Sequence, residues 1–326
     1  MNQYLDTLAH IVVHGDVQTN RTGIKTVSVP GVSMRFDLQE GFPAITTKKL
    51  AFKTCVGELV GFLHSHSNAG DFRTLGCKVW DQNANENQQW LDNPYRLGED
   101  DLGKIYGVQW RQWPGYKFIQ IDDRAKIMAA QNAGYVPIGQ IPSVIATLPD
   151  EVVFYKAIDQ LGDCLEMIQK DPGSRRILFH GWNPAQLDEM ALPPCHLLYQ
   201  FLVNQAKGEL SLCLYIRSND MFLGAPFNIA EAAVLLSLMA HLTGYKPRWL
   251  SYFVGDAHIY ENHFDAVMDQ LSREPYPLPK LAISSEIPKG VIGQKISRGW
   301  LDMVKPSDFT LEDYQSHPTI SAPMAV

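Results

Sequence analysis

The sequence predicts an α+β fold, in which a mixed or antiparallel β-sheet core is flanked by helices. Two runs, 196–203 and 210–217, alternate apolar and polar residues as strands do, and a turn containing glycine separates them. Three other stretches, 2–14, 52–64 and 229–243, have the apolar content and spacing of helices. The hairpin among these helices is the predicted centre of the fold.

Length and composition fit one globular domain. The chain has 326 residues, 45% hydrophobic and 19% charged, which suffices to bury a sizeable core. Its formal net charge of −7 argues against a bulk nucleic-acid or membrane-surface binder. The sequence contains no internal repeat, linker or low-complexity segment. We therefore predict a single domain over 1–326, with insertions at about 87–100 and 116–153.

Cysteine usage and the N-terminus indicate the compartment. Five cysteines without CxxC spacing favour free thiols in a reducing compartment and give no support to a metal site. The N-terminus lacks the basic start and apolar core of a signal peptide. The apolar run 229–243 is too short to span a bilayer. We expect a cytoplasmic protein with no membrane partner and no dedicated nucleic-acid partner.

The remaining elements are predicted in chain order. Residues 26–36 alternate and predict a strand or hairpin. The first insertion, 87–100, is predicted to be a loop. In the second, 116–133 is compatible with a helix, whereas 134–149 is rich in proline and glycine and predicts a loop. Residues 154–170 predict an amphipathic helix.

The open end of the hairpin brings a thiol close to a guanidinium. A symmetric turn between the two strands places Cys195 opposite Ser218. It also places His196 opposite Arg217, and a bulge would shift this register by one residue. The thiolate is the reactive form of cysteine, and a nearby cation lowers the pKa of a thiol. The hairpin end is therefore a candidate nucleophilic site.

A buried core cysteine is the alternative interpretation of Cys195, because free cysteine often packs as a small hydrophobe. Two observations favour a site. Two prolines directly before Cys195 stiffen the entrance to the strand. Four consecutive polar residues, 217–220, end the second strand, which is typical of a site and not of a core.

The motifs of this region resemble those of one family. Pro194-Cys195-His196, then Gln200-Phe201, then Arg-Ser-x-Asp-x-x-Leu-Gly-x-Pro-Phe-Asn over 217–228 closely resemble thymidylate synthase. The resemblance covers nearly the whole chain apart from the two insertions. It implies methylation of dUMP to dTMP, with 5,10-methylenetetrahydrofolate as the donor of carbon and hydride and dihydrofolate as the second product.

The resemblance also implies the catalytic residues. Cys195 would add to C6 of the pyrimidine, which makes C5 able to attack. Asn228 would read the uracil edge, since its amide offers both a donor and an acceptor. Glu58 and Tyr106 would handle protons together with bound water.

Ligand-binding residues follow from the same resemblance. The nucleotide-binding set is Arg21, Arg175, Arg176, Arg217, Ser218, Asp220, Asn228, His258 and Tyr260. The folate-binding set is Trp80, Asp220, Gly224 and Ala325, the last in a C-terminal tail that closes over the ligands. In the family, the paired arginines 175 and 176 reach across a dimer interface to phosphate, for which two guanidinium forks are suited. The resemblance therefore implies a homodimer that binds dUMP and a reduced folate.

Three departures from the family pattern leave a related activity open. Gly61 and Asn83 stand where tryptophan is usual, and Ile216 stands where glutamine is usual. A pyrimidine deoxynucleotide hydroxymethylase, acting on dUMP or dCMP, would add water instead of hydride at the C5 methylene. Members that act on cytosine carry Asp at the position of Asn228, so Asn228 favours uracil.

Two other classes compete with this interpretation. A Cys–His hydrolase would need His196 as the base, but adjacent residues on a strand point to opposite faces. A phosphate- or RNA-binding protein would use Arg175-Arg176, against which the acidic net charge argues.

Overall fold

A computed structural model describes residues 1–20, 23–142 and 149–323 of the protein. Its strands are β1 (Asp16–Gln18), β2 (Thr26–Asp37), β3 (Trp113–Gln120), β4 (Val136–Ile141), β5 (Glu151–Ile158), β6 (Leu178–His180), β7 (His196–Asn204), β8 (Glu209–Asp220), β9 (Lys246–Tyr260), β10 (Lys280–Ile283) and β11 (Phe309–Glu312). Its α-helices are α1 (Asn2–His14), α2 (Phe52–Leu63), α3 (Ala69–Thr74), α4 (Asp81–Asn85), α5 (Gln88–Leu91), α6 (Tyr106–Arg111), α7 (Arg124–Asn132), α8 (Gln160–Lys170), α9 (Gly224–Thr243) and α10 (Phe264–Leu271).

A six-stranded mixed sheet organises the fold. Its strands follow the order β1–β2–β9–β8–β7–β6. Neighbouring strands are antiparallel except β8 and β9, which run parallel because the long helix α9 connects them. Two small antiparallel sheets, β10–β11 and β3–β5–β4, lie outside it. The predicted α+β fold with a mixed sheet and flanking helices is confirmed.

Helix α9 covers the inner face of this sheet. It packs against β8 and β9 and against α2 and α8. By length and composition α9 could cross a membrane, but 83% of its apolar stretch is buried inside the protein, as in the core helix of a globular fold. It begins at Gly224 and not at the predicted residue 229. Pro226 is tolerated in the first turn because its missing N–H breaks no helical hydrogen bond.

The outer face of the sheet carries partly exposed apolar side chains. They are Leu178, Leu198, Leu202, Tyr215 and Phe253. The strand register pairs Leu198 with Tyr215 and Tyr215 with Phe253, so these side chains form one surface across β7, β8 and β9. Apolar surface of this kind on a sheet is typical of an interaction face. We call it the outer sheet face.

The β7–β8 hairpin contains a bulge that changes its register. Leu198 pairs with Tyr215, but His196 pairs with Ile216, so an extra residue is accommodated between the two pairs. The backbone N–H of Arg217 donates to the carbonyl of Cys195 at 2.9 Å. Cys195 therefore lies opposite Arg217, and the symmetric register that placed it opposite Ser218 is wrong by one residue.

The second predicted insertion contains regular structure. Strands β3, β5 and β4 form an antiparallel sheet, and α7 packs on it around a small core of Ile119, Ala130 and Phe154. The helix allowed within 116–133 is present as α7, but the predicted loop 134–149 includes strand β4. Proline and glycine are compatible with β4 because it lies at an edge of the sheet, and a bulge separates Pro137 from Gly139.

The predicted helix 154–170 is wrong in its first third. Residues up to Ile158 belong to β5, and α8 begins at Gln160. Asp159 caps α8, since its carboxylate accepts a hydrogen bond from the Gly162 N–H at 2.9 Å. Apolar residues 155, 158 and 161 imitate a helical spacing, whereas the β-branched and aromatic run 152–155 is the strand signal.

The first predicted insertion is also more ordered than a loop. Residues 88–91 form the one-turn helix α5, in which Trp90 is buried. The indole N–H of Trp90 donates to the carbonyl of Asp101 at 2.7 Å. Nearby, Asp100 forms a bidentate ion pair with Arg73. This stretch is therefore pinned to the main core through Trp90.

Phe154→Ala should loosen the β3–β5–β4 unit while leaving the main sheet intact. Removing a buried phenylalanine destabilises its surroundings by about 3–5 kcal/mol, which exceeds what a three-residue satellite core can supply. Hydrogen exchange should accelerate within 113–158 and stay unchanged in β7 and β8. The control is Phe179→Ala in the main core, which should accelerate exchange in both regions. If Phe154→Ala accelerated exchange equally in the β3–β5–β4 unit and in β7 and β8, the unit would not be separate from the main core.

Candidate active site

A cleft of about 460 Å³ opens where the start of β7 and the end of β8 meet α2 and the first turns of α9. Nine predicted site residues line it: Glu58, Trp80, Tyr106, Cys195, Ser218, Asp220, Gly224, Asn228 and Tyr260. A larger cavity of about 690 Å³ lies elsewhere, around Phe42, Tyr245 and Leu278, and none of the predicted site residues line it. The chemistry therefore points to the smaller cleft.

Hydrogen bonds from both sides fix the backbone around Cys195. Its N–H donates to the Tyr106 hydroxyl at 2.7 Å, and its carbonyl accepts from the Arg217 N–H. The Arg217 guanidinium donates to the carbonyls of Pro194 at 2.9 Å and Pro193 at 3.1 Å. Arg217 thus holds the proline segment that leads to the cysteine. The Cys195 side chain remains partly exposed at the wall of the cleft.

A buried polar chain orients Asn228. The Asn219 amide donates to Asn228 Oδ1 at 2.9 Å, and the Tyr252 hydroxyl donates to Asn219 Oδ1 at 2.7 Å. A Cβ atom at Gly224 would lie 3.1 Å from Asn219 Nδ2 and 3.5 Å from Asn228 Oδ1. Glycine therefore leaves room for this amide pair. The motif leaves the identity at position 219 open, so only its burial beside Asn228 identifies Asn219 as a functional residue.

His196 is a neutral group of this network. Its Nδ1 lies 3.0 Å from the Tyr199 hydroxyl, and its ring packs edge-on against Tyr106. Burial lowers the pKa of His196 to about 4, although a hydrogen bond with Asn228 opposes that shift. The Nδ1 atom of His196 therefore bonds to Tyr199 and not to the Cys195 thiol. This arrangement disfavours the Cys–His hydrolase.

Glu58 lies on the α2 side of the cleft in a mostly apolar setting. Burial raises its pKa to about 8, and the nearby Trp80 indole and Glu231 carboxyl partly offset that shift. Tyr106 stacks on Phe62 with ring centroids 4.9 Å apart, and burial raises the pKa of its hydroxyl as well. The proton-carrying groups of the cleft are therefore protonated, and uncharged, near neutral pH.

The residues predicted to contact the sugar and the folate are also held by hydrogen bonds. Asp256 lies 3.2 Å from the imidazole of His258 and accepts a hydrogen bond from Ser218 at 3.2 Å. His258 packs edge-on against Tyr260 directly behind the cleft wall. At the other end, one oxygen of Asp220 accepts the backbone N–H groups of residues 222 and 223, which fixes the turn into α9.

Several predicted residues do not line the cleft. Arg175 and Arg176 are exposed next to the edge strand β6, and Arg217 borders a neighbouring pocket beside Trp90. Arg21 and Ala325 lie outside the described residues. The remainder of the tail is tied down, since Arg273 donates to the Pro318 carbonyl at 2.8 Å and the His263 ring bonds the Pro323 carbonyl at 2.7 Å.

The departure at position 61 has a local explanation, whereas the one at position 216 has none beyond burial. A Cβ atom at Gly61 would lie 2.2 Å from the ring of Phe72, so phenylalanine occupies the space that a side chain at 61 would need. Phe72 packs against Phe62 and Trp80, both of which line the cleft. Ile216 is fully buried behind the cleft. Phe72 therefore packs behind the aromatic wall of the cleft, in the space that a side chain at position 61 would need.

A cleft that combines a held thiol with buried proton-carrying groups is that of an enzyme and not of a binding module. A family model described as "Thymidylate synthase" matches residues 2–326. Proteins named thymidylate synthase from Pseudomonas syringae pv. tomato and Pseudomonas putida are each 60% identical over 326 residues, and one from Bordetella parapertussis is 58% identical. Each alignment covers 100% of both chains. The chain belongs to the thymidylate synthase family.

These alignments also bear on the two predicted insertions. Because they cover the full length of chain and relatives, the stretches 87–100 and 116–153 lie within the shared length. The name of the relatives favours a methylating enzyme over the hydroxymethylase.

His196→Gln should reduce the sensitivity of stability to acid. The pKa of His196 falls from 6.5 in the unfolded chain to about 4 in the fold. Between these values the unfolded chain binds a proton that the folded protein excludes, so stability present above pH 6.5 is lost as pH falls toward 4, by about 3 kcal/mol. The free energy of unfolding, measured with urea at several pH values, should fall less steeply with decreasing pH in the variant.

The matched control for this experiment is His10→Gln, which replaces an exposed histidine of α1. It should leave the pH dependence of the free energy of unfolding as in the parent protein. If the free energy of unfolding of His196→Gln depends on pH as steeply as that of the parent, His196 is not the group responsible.

Proposed function

We propose that this protein methylates dUMP to dTMP, with 5,10-methylenetetrahydrofolate as the donor of carbon and hydride and dihydrofolate as the second product. The observation that carries the proposal is the cleft that brings Cys195, Asn228 and Glu58 together in a chain about 60% identical to thymidylate synthases along its whole length. The family and the names of the relatives support a folate-dependent methyltransferase.

Cys195 is the nucleophile in this proposal. Its thiolate adds to C6 of the uracil, and the electron pair of the ring double bond makes C5 an enolate carbon. C5 attacks the methylene carbon of the folate as one of the two carbon–nitrogen bonds of that carbon breaks. The C5 proton passes to a base, and the second carbon–nitrogen bond breaks, which leaves an exocyclic methylene group on C5 and tetrahydrofolate beside it. Hydride from the reduced pterin then adds to this methylene carbon, and the thiolate leaves C6 as the ring double bond re-forms. The pterin is oxidised in this step, which gives dihydrofolate.

The polar groups of the cleft support the charge that develops on the ring. Asn228 reads the uracil edge, and the bond from Asn219 fixes the orientation of its amide. Tyr106 accepts a hydrogen bond from the Cys195 N–H, which leaves its own hydroxyl proton directed elsewhere and available for proton transfer. Glu58 carries protons between the ring and water.

The nucleotide phosphate is proposed to bind Arg21, Arg217 and Ser218, together with Arg175 and Arg176 of a second subunit. Two observations support a homodimer with shared sites. The outer sheet face presents apolar surface across three strands. The paired arginines are exposed beside β6 at the edge of that sheet and do not line the cleft of their own chain.

The remaining ligand contacts are proposed in the same way. His258 and Tyr260 bind the deoxyribose hydroxyl. Trp80, Asp220 and Gly224 contact the folate, and Ala325 belongs to the tail that closes over both ligands. A cytoplasmic location is supported by the cysteines, all five of which are free thiols.

The decisive experiment incubates the purified protein with dUMP and methylenetetrahydrofolate. Dihydrofolate is followed by absorbance, and the nucleotide is identified by mass. Equal amounts of dihydrofolate and dTMP are expected. Hydroxymethyl-dUMP formed without dihydrofolate would replace the proposal by the hydroxymethylase.

Cys195→Ala should abolish turnover and retain dUMP binding. The substitution removes the atom that forms the covalent bond and leaves the backbone bonds to Tyr106 and Arg217 intact. Turnover should fall at least about 10⁴-fold, while the Kd for dUMP by calorimetry should change less than about tenfold. The control is Cys213→Ala on the outer sheet face, which should keep activity in the cleft. Substantial turnover in Cys195→Ala would refute the nucleophile.

Mixing two inactive proteins should restore activity if the sites are shared. Cys195→Ala chains are combined with Arg175→Ala/Arg176→Ala chains and assayed at limiting dUMP. Each heterodimer has one site with both its own thiol and its partner's arginines, so a random mixture should reach about a quarter of parental activity. Absence of recovery in heterodimers verified by mass would place the arginines at the site of their own chain.

A further inference from the structure

A second buried carboxyl group lies against Glu58. Glu231 follows Asn228 by three residues on α9, so the two side chains lie on the same side of that helix. Helix α2 packs against this side, where the Cys55 thiol donates to the Phe227 carbonyl at 3.4 Å. Glu58 is one turn beyond Cys55 on α2. The carboxyl groups of Glu58 and Glu231 interact between the two helices, since each perturbs the pKa of the other.

The Glu231 carboxyl is buried without a donor. Its residue is 2% exposed, and within the described parts of the chain neither carboxyl oxygen has a hydrogen-bond partner. An ionised carboxylate in such a place would be strongly destabilising, because nothing compensates its lost hydration. Burial, and next the neighbouring Glu58, raise the pKa of Glu231 well above its usual range. Glu231 is therefore a protonated acid that can itself donate.

Among the described residues, the groups around the pair provide no charge that would ionise Glu231. The titratable groups that face the pair are Cys55 on α2, Cys77 before α4, Tyr106 on α6, Tyr199 on β7 and Tyr252 on β9. Burial raises the pKa of each, so each is neutral at pH 7. The nearby His196 is also neutral, because burial lowers its pKa to about 4.

We propose that Glu231 is a positioning residue that keeps its proton throughout the working pH range and donates it in a hydrogen bond to Glu58. This inference rests on the proposed function, in which Glu58 carries protons for the cleft. When Glu58 gives its proton to the bound ring or to water, the Glu231 O–H stabilises the carboxylate that results. When a proton returns, it returns to Glu58, and Glu231 remains neutral in both states. The pair thus lets Glu58 ionise in an interior where burial penalises charge.

Two substitutions separate this role from packing. Glu231→Gln keeps the shape and an N–H donor, whereas Glu231→Leu keeps similar volume and removes the donor. In Glu231→Leu the ionised form of Glu58 loses its hydrogen bond, so the limb of the kcat/KM pH profile that reports Glu58 should move upward by about one pH unit. At pH 7, kcat/KM should fall about tenfold or more. Glu231→Gln should stay within about twofold of the parent, with an unmoved limb.

The direction in which the Glu58 limb of the pH profile moves in Glu231→Leu distinguishes three roles for Glu231. A limb at the same pH would mean that Glu231 only fills space, and a limb at lower pH would mean that Glu231 is an anion in the parent protein. Either result overturns the proposal. Ser237→Ala, two turns further along α9, is the control, since its hydroxyl bonds the Ala233 carbonyl and it should leave the profile unchanged. Urea unfolding confirms that each variant is folded.

A measurement without substrate keeps this test apart from the test of the proposed function. Infrared spectra at pH 10 should show one protonated carboxyl band in the parent protein, which should be absent in Glu231→Gln. Retention of the band in that variant would assign the proton to Glu58 and overturn the proposal. If the parent protein forms no dTMP, the proposed function fails, whatever the infrared result.

Discussion

The packing of α9 between the sheet and α2 is the constraint on which the site depends. A helix buried on nearly all sides fixes the position of every side chain it carries. Gly224 admits the Asn219 amide at its first turn, Asn228 lies one turn further on, and Glu231 one turn beyond that. A displacement of α9 would move the Asn228 amide and the Glu231 carboxyl together.

Burial keeps the proton-carrying groups of the cleft uncharged. Glu58, Tyr106 and His196 are all shifted toward their neutral forms by loss of water. Hydrogen bonds in such a medium are stronger than in water, and an unmatched partner is correspondingly unfavourable. Two of the guanidinium groups proposed to bind phosphate do not line this cleft: Arg217 bonds the proline carbonyls, and Arg175 is exposed at the sheet edge. The proposed function therefore separates these two arginines from the groups that transfer protons.

Local pattern was sufficient for the fold class and for Cys195, whereas the other cleft residues were predicted from the resemblance to a known family. The alternation in β7 and β8 and the helical spacing in α1 and α2 are strong because each element buries one side against the same core. Nine predicted site residues line one cleft because their motifs lie at the ends of those elements. The hairpin bulge could be named only as a possibility, since alternation alone does not fix the register of the two strands. Asn219 and Glu231 could not be singled out either, because their roles come from burial against distant residues. The strands of the second insertion were missed where proline and glycine imitate a loop.

Because Gly61 and Phe72 are in contact, the effect of a substitution at either position depends on the residue at the other. A side chain at 61 would overlap the Phe72 ring, so restoring the tryptophan usual in the family would fail unless residue 72 became small at the same time. Each single change opens a hole or creates an overlap, and only the double change preserves the filled volume. Sequence swaps from relatives at this wall would therefore be strongly epistatic, and a graft of the aromatic wall has to transfer both positions as one unit.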